Sequence, residues 1–214
     1  MKILVVIGIA VLALSLFSCK HVNNFGENQV YAAWEDGLTL IFENISLSNP
    51  NNRNKERQLV RVEKSSETSA GLVVVQDVVP SHRNERVIVV NKDGRVVLRT
   101  GSFGNDIVLL PGGFPNTITE WKSGMSFSRI IGRANFSLPV ISLFDGLSNI
   151  GVWVETVHLD QANNRTRTLY LPNIGEVETM CWDQDKHCWV TSRRLIHMGF
   201  TDTSVSSIEL LKVS

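Results

Sequence analysis

Short apolar stretches that alternate with polar residues, and that are punctuated by dense turn signals, run along most of this chain. Leu38, Leu40 and Phe42 alternate with Thr39, Ile41 and Glu43, and Val60 and Val62 alternate with Arg61 and Glu63. A period of two places successive side chains on opposite faces of a strand. Strand-like segments follow at residues 72–79, 86–91, 95–100, 121–130, 134–143, 152–159, 167–171, 176–182 and 188–198, while residues 206–213 suit either a last strand or a short helix. Between them stand Asn49-Pro50-Asn51-Asn52, Lys92-Asp93-Gly94, Gln161-Ala162-Asn163-Asn164 and Pro172-Asn173-Ile174-Gly175. Asp-Gly between two apolar runs is a strong hairpin signal. Short strands at regular spacing, with no long helical block, predict an all-β domain, or a β-rich α+β one. The expected form is a curved antiparallel sheet or half-barrel, with a short helix or loop on its concave face.

The N-terminus carries a different signal. Met1-Lys2 precedes an unbroken apolar run from Ile3 to Leu14, followed by Ser15-Leu16-Phe17-Ser18-Cys19-Lys20. A positive start, a short apolar run and a small residue before a cut site form a secretory signal peptide. The run falls short of the roughly 20 apolar residues that span a bilayer. Leu16-Phe17-Ser18-Cys19 resembles the lipobox of bacterial lipoproteins, which implies cleavage before Cys19 and acylation of that residue. The resemblance implies a membrane tether on Cys19, with the cell envelope as location. Lys20 after the cysteine, by likeness to enterobacterial lipoproteins, favours the outer membrane, at its periplasmic or surface face. The expected organisation is a signal peptide at 1–18, a polar stalk at 19–29 and one β domain at 30–214.

Residues 1–18 carry one charge, Lys2, which leaves 20 basic and 21 acidic side chains in the remainder. A near-zero balance argues against a nucleic-acid partner, which calls for a basic patch. About 196 residues suit one domain of the larger all-β kind. Pro111-Gly112-Gly113-Phe114-Pro115 breaks the chain near its middle. It reads as a loop within one sheet, the alternative being a boundary between two small β domains.

With Cys19 acylated, Cys181 and Cys188 remain as a pair. A hairpin with Trp182 opposite His187 and a loop from Asp183 to Lys186 would bring their Cβ atoms to about 4.5–5.5 Å, near what a disulfide accepts. Free thiols and a metal pair are the rivals, the spacing exceeding the two to four residues of a zinc cysteine pair. Asp183 and Asp185 lack the glycine and distant glutamate of a calcium loop, and the five histidines share no metal-like spacing. No metal or cofactor is therefore expected. Gly146-Leu147-Ser148-Asn149-Ile150-Gly151 misses the nucleophile-elbow pattern by one residue. Glu155 and His158 could serve an envelope hydrolase, but residues three apart on a strand face opposite ways. A non-enzymatic role is the expectation. Trp121 and Trp153 are candidates for lining an apolar ligand cavity, against the plainer reading that they are core.

Taken in order, Trp34 to Phe42, Leu59 to Glu63, Gly71 to Val79, Lys92-Asp93-Gly94, Leu110 to Pro115 and Trp121 to Gly124 lead to Tyr170-Leu171-Pro172-Asn173-Ile174-Gly175-Glu176-Val177. This order resembles exported bacterial β-proteins related in architecture to lipoprotein carriers of the LolA/LolB type. The resemblance spans nearly the whole chain after the leader, and its most specific part is the late Pro–Ile–Gly–Val segment. Residues 129–149 and the cysteine hairpin depart from it. It implies a curved antiparallel sheet and, as partners, an apolar ligand or an envelope protein.

Overall fold

The computed structural model describes residues 29–34, 36–63, 69–78, 83–99, 106–137, 149–160 and 164–200. Cys19, the expected signal peptide and residues 206–213 lie outside them. The alternating segments become twelve strands: β1 (Leu38–Ile45), β2 (Arg53–Glu63), β3 (Ser69–Val78), β4 (Arg83–Asn91), β5 (Val96–Arg99), β6 (Ile107–Leu110), β7 (Glu120–Ser123), β8 (Ser126–Asn135), β9 (Ile150–His158), β10 (Arg165–Leu171), β11 (Gly175–Asp183) and β12 (Cys188–Phe200). No helix occurs among the described residues.

The strands form one antiparallel sheet in the order β6-β5-β4-β3-β2-β1-β12-β11-β10-β9-β8-β7. Every neighbour is consecutive in sequence except the central pair, β1 and β12. The chain therefore runs outward from the centre through β1 to β6, crosses to the opposite edge, and returns through β7 to β12. The crossing is short because the edges meet: the Val108 amide donates to Ser123 Oγ at 2.9 Å. No backbone ladder joins β6 to β7, so the sheet is curled without being fully closed.

The sheet's inner face follows from the alternation. Leu38, Leu40 and Phe42 are buried, as are Val60, Leu195 and Met198. Leu195 and Met198 are three apart, yet they stand opposite Phe42 and Leu40 because the ladder shifts register between Ile41 and Phe42. A bulge places an extra residue on one strand and re-aims the side chains beyond it. Fully burying one such side chain contributes about 1.5–3 kcal/mol.

Residues 29–34, which lie outside the strands, close one end of the curled sheet. Val30, Tyr31, Ala32 and Ala33 are all buried. The Asn173 amide donates to the Val30 carbonyl at 2.6 Å, the Trp34 amide donates to the Asn173 carbonyl at 3.1 Å, and Ala33 bridges Ile174. Tyr31 meets Phe114 edge to face at 5.0 Å, and Phe114 meets Trp121 at 5.9 Å. The covering of the inner face at this end is thus an irregular segment, the loop form of the expected covering.

The proline- and glycine-rich middle is anchored. The Gly113 amide donates to the Asp93 carbonyl at 3.0 Å, and Asp93 belongs to the β4–β5 turn that the Asp-Gly pair predicted. Two further expectations change. Residues 121–130 read as a single strand but fold as the β7–β8 hairpin, because Gly124 adopts a φ of 57° and turns the chain. Left-handed backbone of this kind favours glycine. The strand expected at 134–143 ends at Asn135 as the end of β8, with residues 138–148 outside the described ones.

The cysteine hairpin is also corrected. Trp182 pairs with Trp189 rather than His187, Cys181 faces Val190, and Cys188 faces Asp183. The turn residues are 184–187, with His187 at a φ of 51°. Cys181 and Cys188 therefore share a face on the diagonal of the ladder, about 7–8 Å apart, beyond a disulfide's Cα range of 4.4–6.8 Å. Both are free thiols, Cys188 exposed and Cys181 half-buried, donating to Ser192 Oγ at 3.4 Å.

Candidate functional site: an inner cavity with a charged wall

Side chains of β1, β2, β4, β5 and β6 share one cavity with side chains of β10, β11 and β12. Strands that lie far apart in the sheet order can meet there only because the inner face curves onto itself. The cavity holds about 160 Å³. Leu40, Phe42, Ile88, Val96, Leu98, Leu109 and Ile174 make its apolar wall, and Tyr31, Ala32 and Ala33 of the closing segment form its floor. Gln58, Arg86, Tyr170, Glu176 and Arg193 supply its polar lining.

Arg193 is the hub of that lining. Its position opposite Asn44 on β1 and Thr179 on β11 points it inward. It donates to Glu176 Oε1 at 2.6 Å and to Glu56 Oε1 at 3.2 Å, and its guanidinium lies 3.6 Å from the centre of the Phe42 ring. Glu56 accepts further hydrogen bonds from Asn44 at 2.9 Å and Gln58 at 2.5 Å, and Arg86 stands 3.9 Å away. Thr179 donates to Glu176 at 2.8 Å. Burial raises the Glu56 carboxyl, but the bonds from Asn44 and Gln58 and the charges of Arg193 and Arg86 outweigh it and hold the group below the usual carboxylate range. Burial, with the nearby Glu176, pushes the Tyr170 phenol well above its ordinary value, so it stays a neutral hydroxyl. Arg86 and Arg193 are matched by Glu176 in the lining and by Glu56, which does not line the cavity, so the polar groups are charge-balanced and pre-organised. A mostly apolar concavity with a few convergent polar groups is the usual form of a small-molecule site.

The tryptophans expected to line a cavity do not line this one. Trp121 stands opposite Ser128 on β7 and belongs to the Tyr31–Phe114–Trp121 stack that seals the closed end. Trp153 pairs with Leu169 on the outer face, half-buried against the core. Glu155 and His158 do face opposite ways. His158 Nδ1 lies 3.0 Å from Ser126 Oγ on the inner face, while Glu155 is held outside by three arginines. Among the described residues no group of three His, Cys, Asp or Glu side chains could hold a metal ion. The sequence reading missed Glu56 and Arg193. A signal was present: extending the Val62, Val60 alternation backward puts Gln58 and Glu56 on the inward face, where a charged residue needs a partner.

Two solved structures were found to be similar to this chain. A candidate exported protein with YmcC-like fold from Bacteroides fragilis NCTC 9343 superposes with a TM-score of 0.50 at 9% identity, over 80% of this chain and 100% of that one. This chain's fold resembles the YmcC-like fold. At that identity the likeness concerns the fold alone. A candidate lipoprotein from Parabacteroides distasonis ATCC 8503 matches with a TM-score of 0.44 and 11% identity, over 81% of this chain and 100% of that one. No protein-family model matches the chain. No curated protein matches it either.

Proposed function

We propose that this protein is a non-enzymatic, lipid-tethered protein of the bacterial cell envelope that binds a small amphipathic molecule inside its curled sheet. The observation that carries the reading is the cavity, lined by apolar Phe42, Ile88 and Leu98 together with polar Arg193 and Glu176. Such a lining suits a ligand with an apolar body and a hydrogen-bonding head. The tether rests on Leu16-Phe17-Ser18-Cys19, and export agrees with the description of the YmcC-like relative from Bacteroides fragilis. Residue 29 of the closing segment stands ten positions after Cys19 in the sequence, so a tether on Cys19 would hold the closed end of the sheet nearest the membrane. In this reading the closed end faces the membrane, which for Lys20 after the cysteine is the outer one.

The test joins two variants. Native mass spectrometry of the mature protein is expected to show a small co-purifying adduct, or saturable uptake of a fluorescent apolar probe. Leu98→Trp, which fills the cavity from β5, is expected to abolish either signal while leaving the melting temperature within a few degrees. Uptake that persists unchanged in this variant would refute binding in the cavity. Cys19→Ala is expected to move the protein out of the detergent phase, and unchanged partitioning would refute the tether.

A further inference from the structure

A second charged constellation lies on the outer face and has no part in the cavity. Arg129, Glu155 and Arg167 stand side by side across β8, β9 and β10, and Arg165 shares their face two residues before Arg167. All three arginines converge on the one carboxylate: Arg129 Nη2 and Arg165 Nη2 donate to Glu155 Oε1 at 3.0 and 3.1 Å, and Arg167 Nε donates to Oε2 at 3.0 Å. Glu155 is 1% exposed, whereas the arginine side chains are 50%, 35% and 33% exposed. The carboxylate is the hidden centre of the cluster and the guanidiniums are its surface.

The stoichiometry exceeds what Glu155 requires. One guanidinium neutralises a carboxylate, and three leave a local charge of +2. β7 adds Glu120 and Lys122 on the same face, one of each sign, which does not change the balance. A guanidinium offers five N–H donors, and each of these arginines spends one on Glu155. Two of them are further held by aromatic rings rather than by acids. Arg167 lies 4.1 Å over the Trp189 ring, and Arg165 lies 5.7 and 5.5 Å from the Trp182 and Trp189 rings, which meet each other at 5.4 Å. Cation–π contacts orient a guanidinium without cancelling its charge. The cluster is therefore rigid, donor-rich and under-neutralised, which is the character of an oxyanion site.

We propose that Arg129, Arg165 and Arg167, set by Glu155 and the Trp182–Trp189 pair, bind a phosphate group carrying close to two negative charges. Guanidinium forks match phosphate oxygens in pairs, and a phosphate monoester carries about −1.5 to −2 at neutral pH, equal and opposite to the local excess. The group is free in solution or is a phospholipid headgroup, and the two sources are separable.

The full mature chain at low ionic strength is titrated with inorganic phosphate in one arm and with phosphatidic acid vesicles, whose headgroup is a phosphate monoester, in the other. Tryptophan fluorescence, reporting Trp182 and Trp189, and calorimetry provide the readouts. Saturable binding is expected in at least one arm. Arg129→Gln or Arg165→Gln is expected to weaken it about tenfold or more, the scale of one lost charge-assisted hydrogen bond. Lys55→Gln removes the same charge from exposed β2 and is expected to leave binding unchanged. Arg129→Lys, which keeps charge but not the fork, is expected to recover part of the affinity in a fold of unchanged melting temperature. Binding to inorganic phosphate marks a soluble ligand, and binding only to vesicles marks a headgroup. Absence of arginine-dependent binding in both arms would overturn the proposal, as would equal weakening by Lys55→Gln.

Discussion

Glu155 shows how one residue can be read chemically from sequence and still have a different role. Its alternation on β9 placed it away from His158, and the structure keeps the two on opposite faces. Its burial raises the carboxyl, but hydrogen bonds from Arg167, Arg129 and Arg165 overcome that and hold it below the ordinary range. A carboxylate fixed as an anion by three guanidiniums is a poor proton donor. Its part is to hold those arginines. Glu155→Gln is expected to destabilise the fold by about 2 kcal/mol at neutral pH, below the 3–5 kcal/mol of a fully buried broken pair because the arginines keep contact with water. The sign with pH follows from the depressed folded value. The contribution is fully present above the unfolded pKa of about 4.3 and is lost as pH falls through the folded value. Urea denaturation of both proteins is therefore expected to show a difference that is full at pH 7 and shrinks below about pH 4. A difference that instead grew in acid would contradict the cage.

At the level of the element, the closing segment and the turn that receives it depend on each other. Gly175 has a φ of 83°, and a Cβ there would stand 3.2 Å from the Ala33 amide nitrogen. Glycine adopts this backbone without penalty and leaves room for the chain to pass. Gly175→Ala is expected to cost about 1–3 kcal/mol through backbone strain, seen as a lowered melting temperature. It is also expected to speed hydrogen exchange at the Trp34 amide, which donates across this junction. An unchanged Trp34 exchange rate would show that the segment is held by other contacts. The Pro172-Asn173-Ile174-Gly175 motif was visible in the sequence as a turn. Its role as the socket for residues 29–34 was not, because that role depends on a segment roughly 140 residues earlier.

For the whole molecule, the central ladder ties the first strand to the last. β1 belongs to the half before Pro111 and pairs with β12 from the half after it over seven residue pairs. Neither half is complete without the other, and the 111–117 turn is bonded to Asp93 rather than hinged. Thermal and denaturant unfolding, followed by tryptophan fluorescence and by far-ultraviolet circular dichroism, are expected to coincide in one transition. Chain cleaved near Asn116 is expected to stay a single particle on size exclusion until denaturant is added. Two fragments that separate and melt independently would refute the single sheet.

The division between sequence and tertiary structure follows from range. Alternation with period two and the chemistry of Asp-Gly, Asn-Pro and Pro-Asn turns act within a few residues, and they determined the all-β class, most strands and the β4–β5 hairpin. The proposed tether on Cys19 likewise rests on a local motif. Where a local rule was ambiguous the reading slipped: Gly124 turned one expected strand into two, the four residues of β6 were too short to register, and a ladder set by Trp182 against Trp189 moved the cysteines off each other. The pairing of β1 with β12, the meeting of β6 with β7 and the cavity they enclose are contacts between distant residues. So are the pairs that give Arg193 and Glu155 their charges' surroundings, Glu56 with Arg193 and Arg129 with Glu155. A carboxylate's role depends on which guanidinium reaches it, and across a curled sheet only the closed tertiary fold decides that.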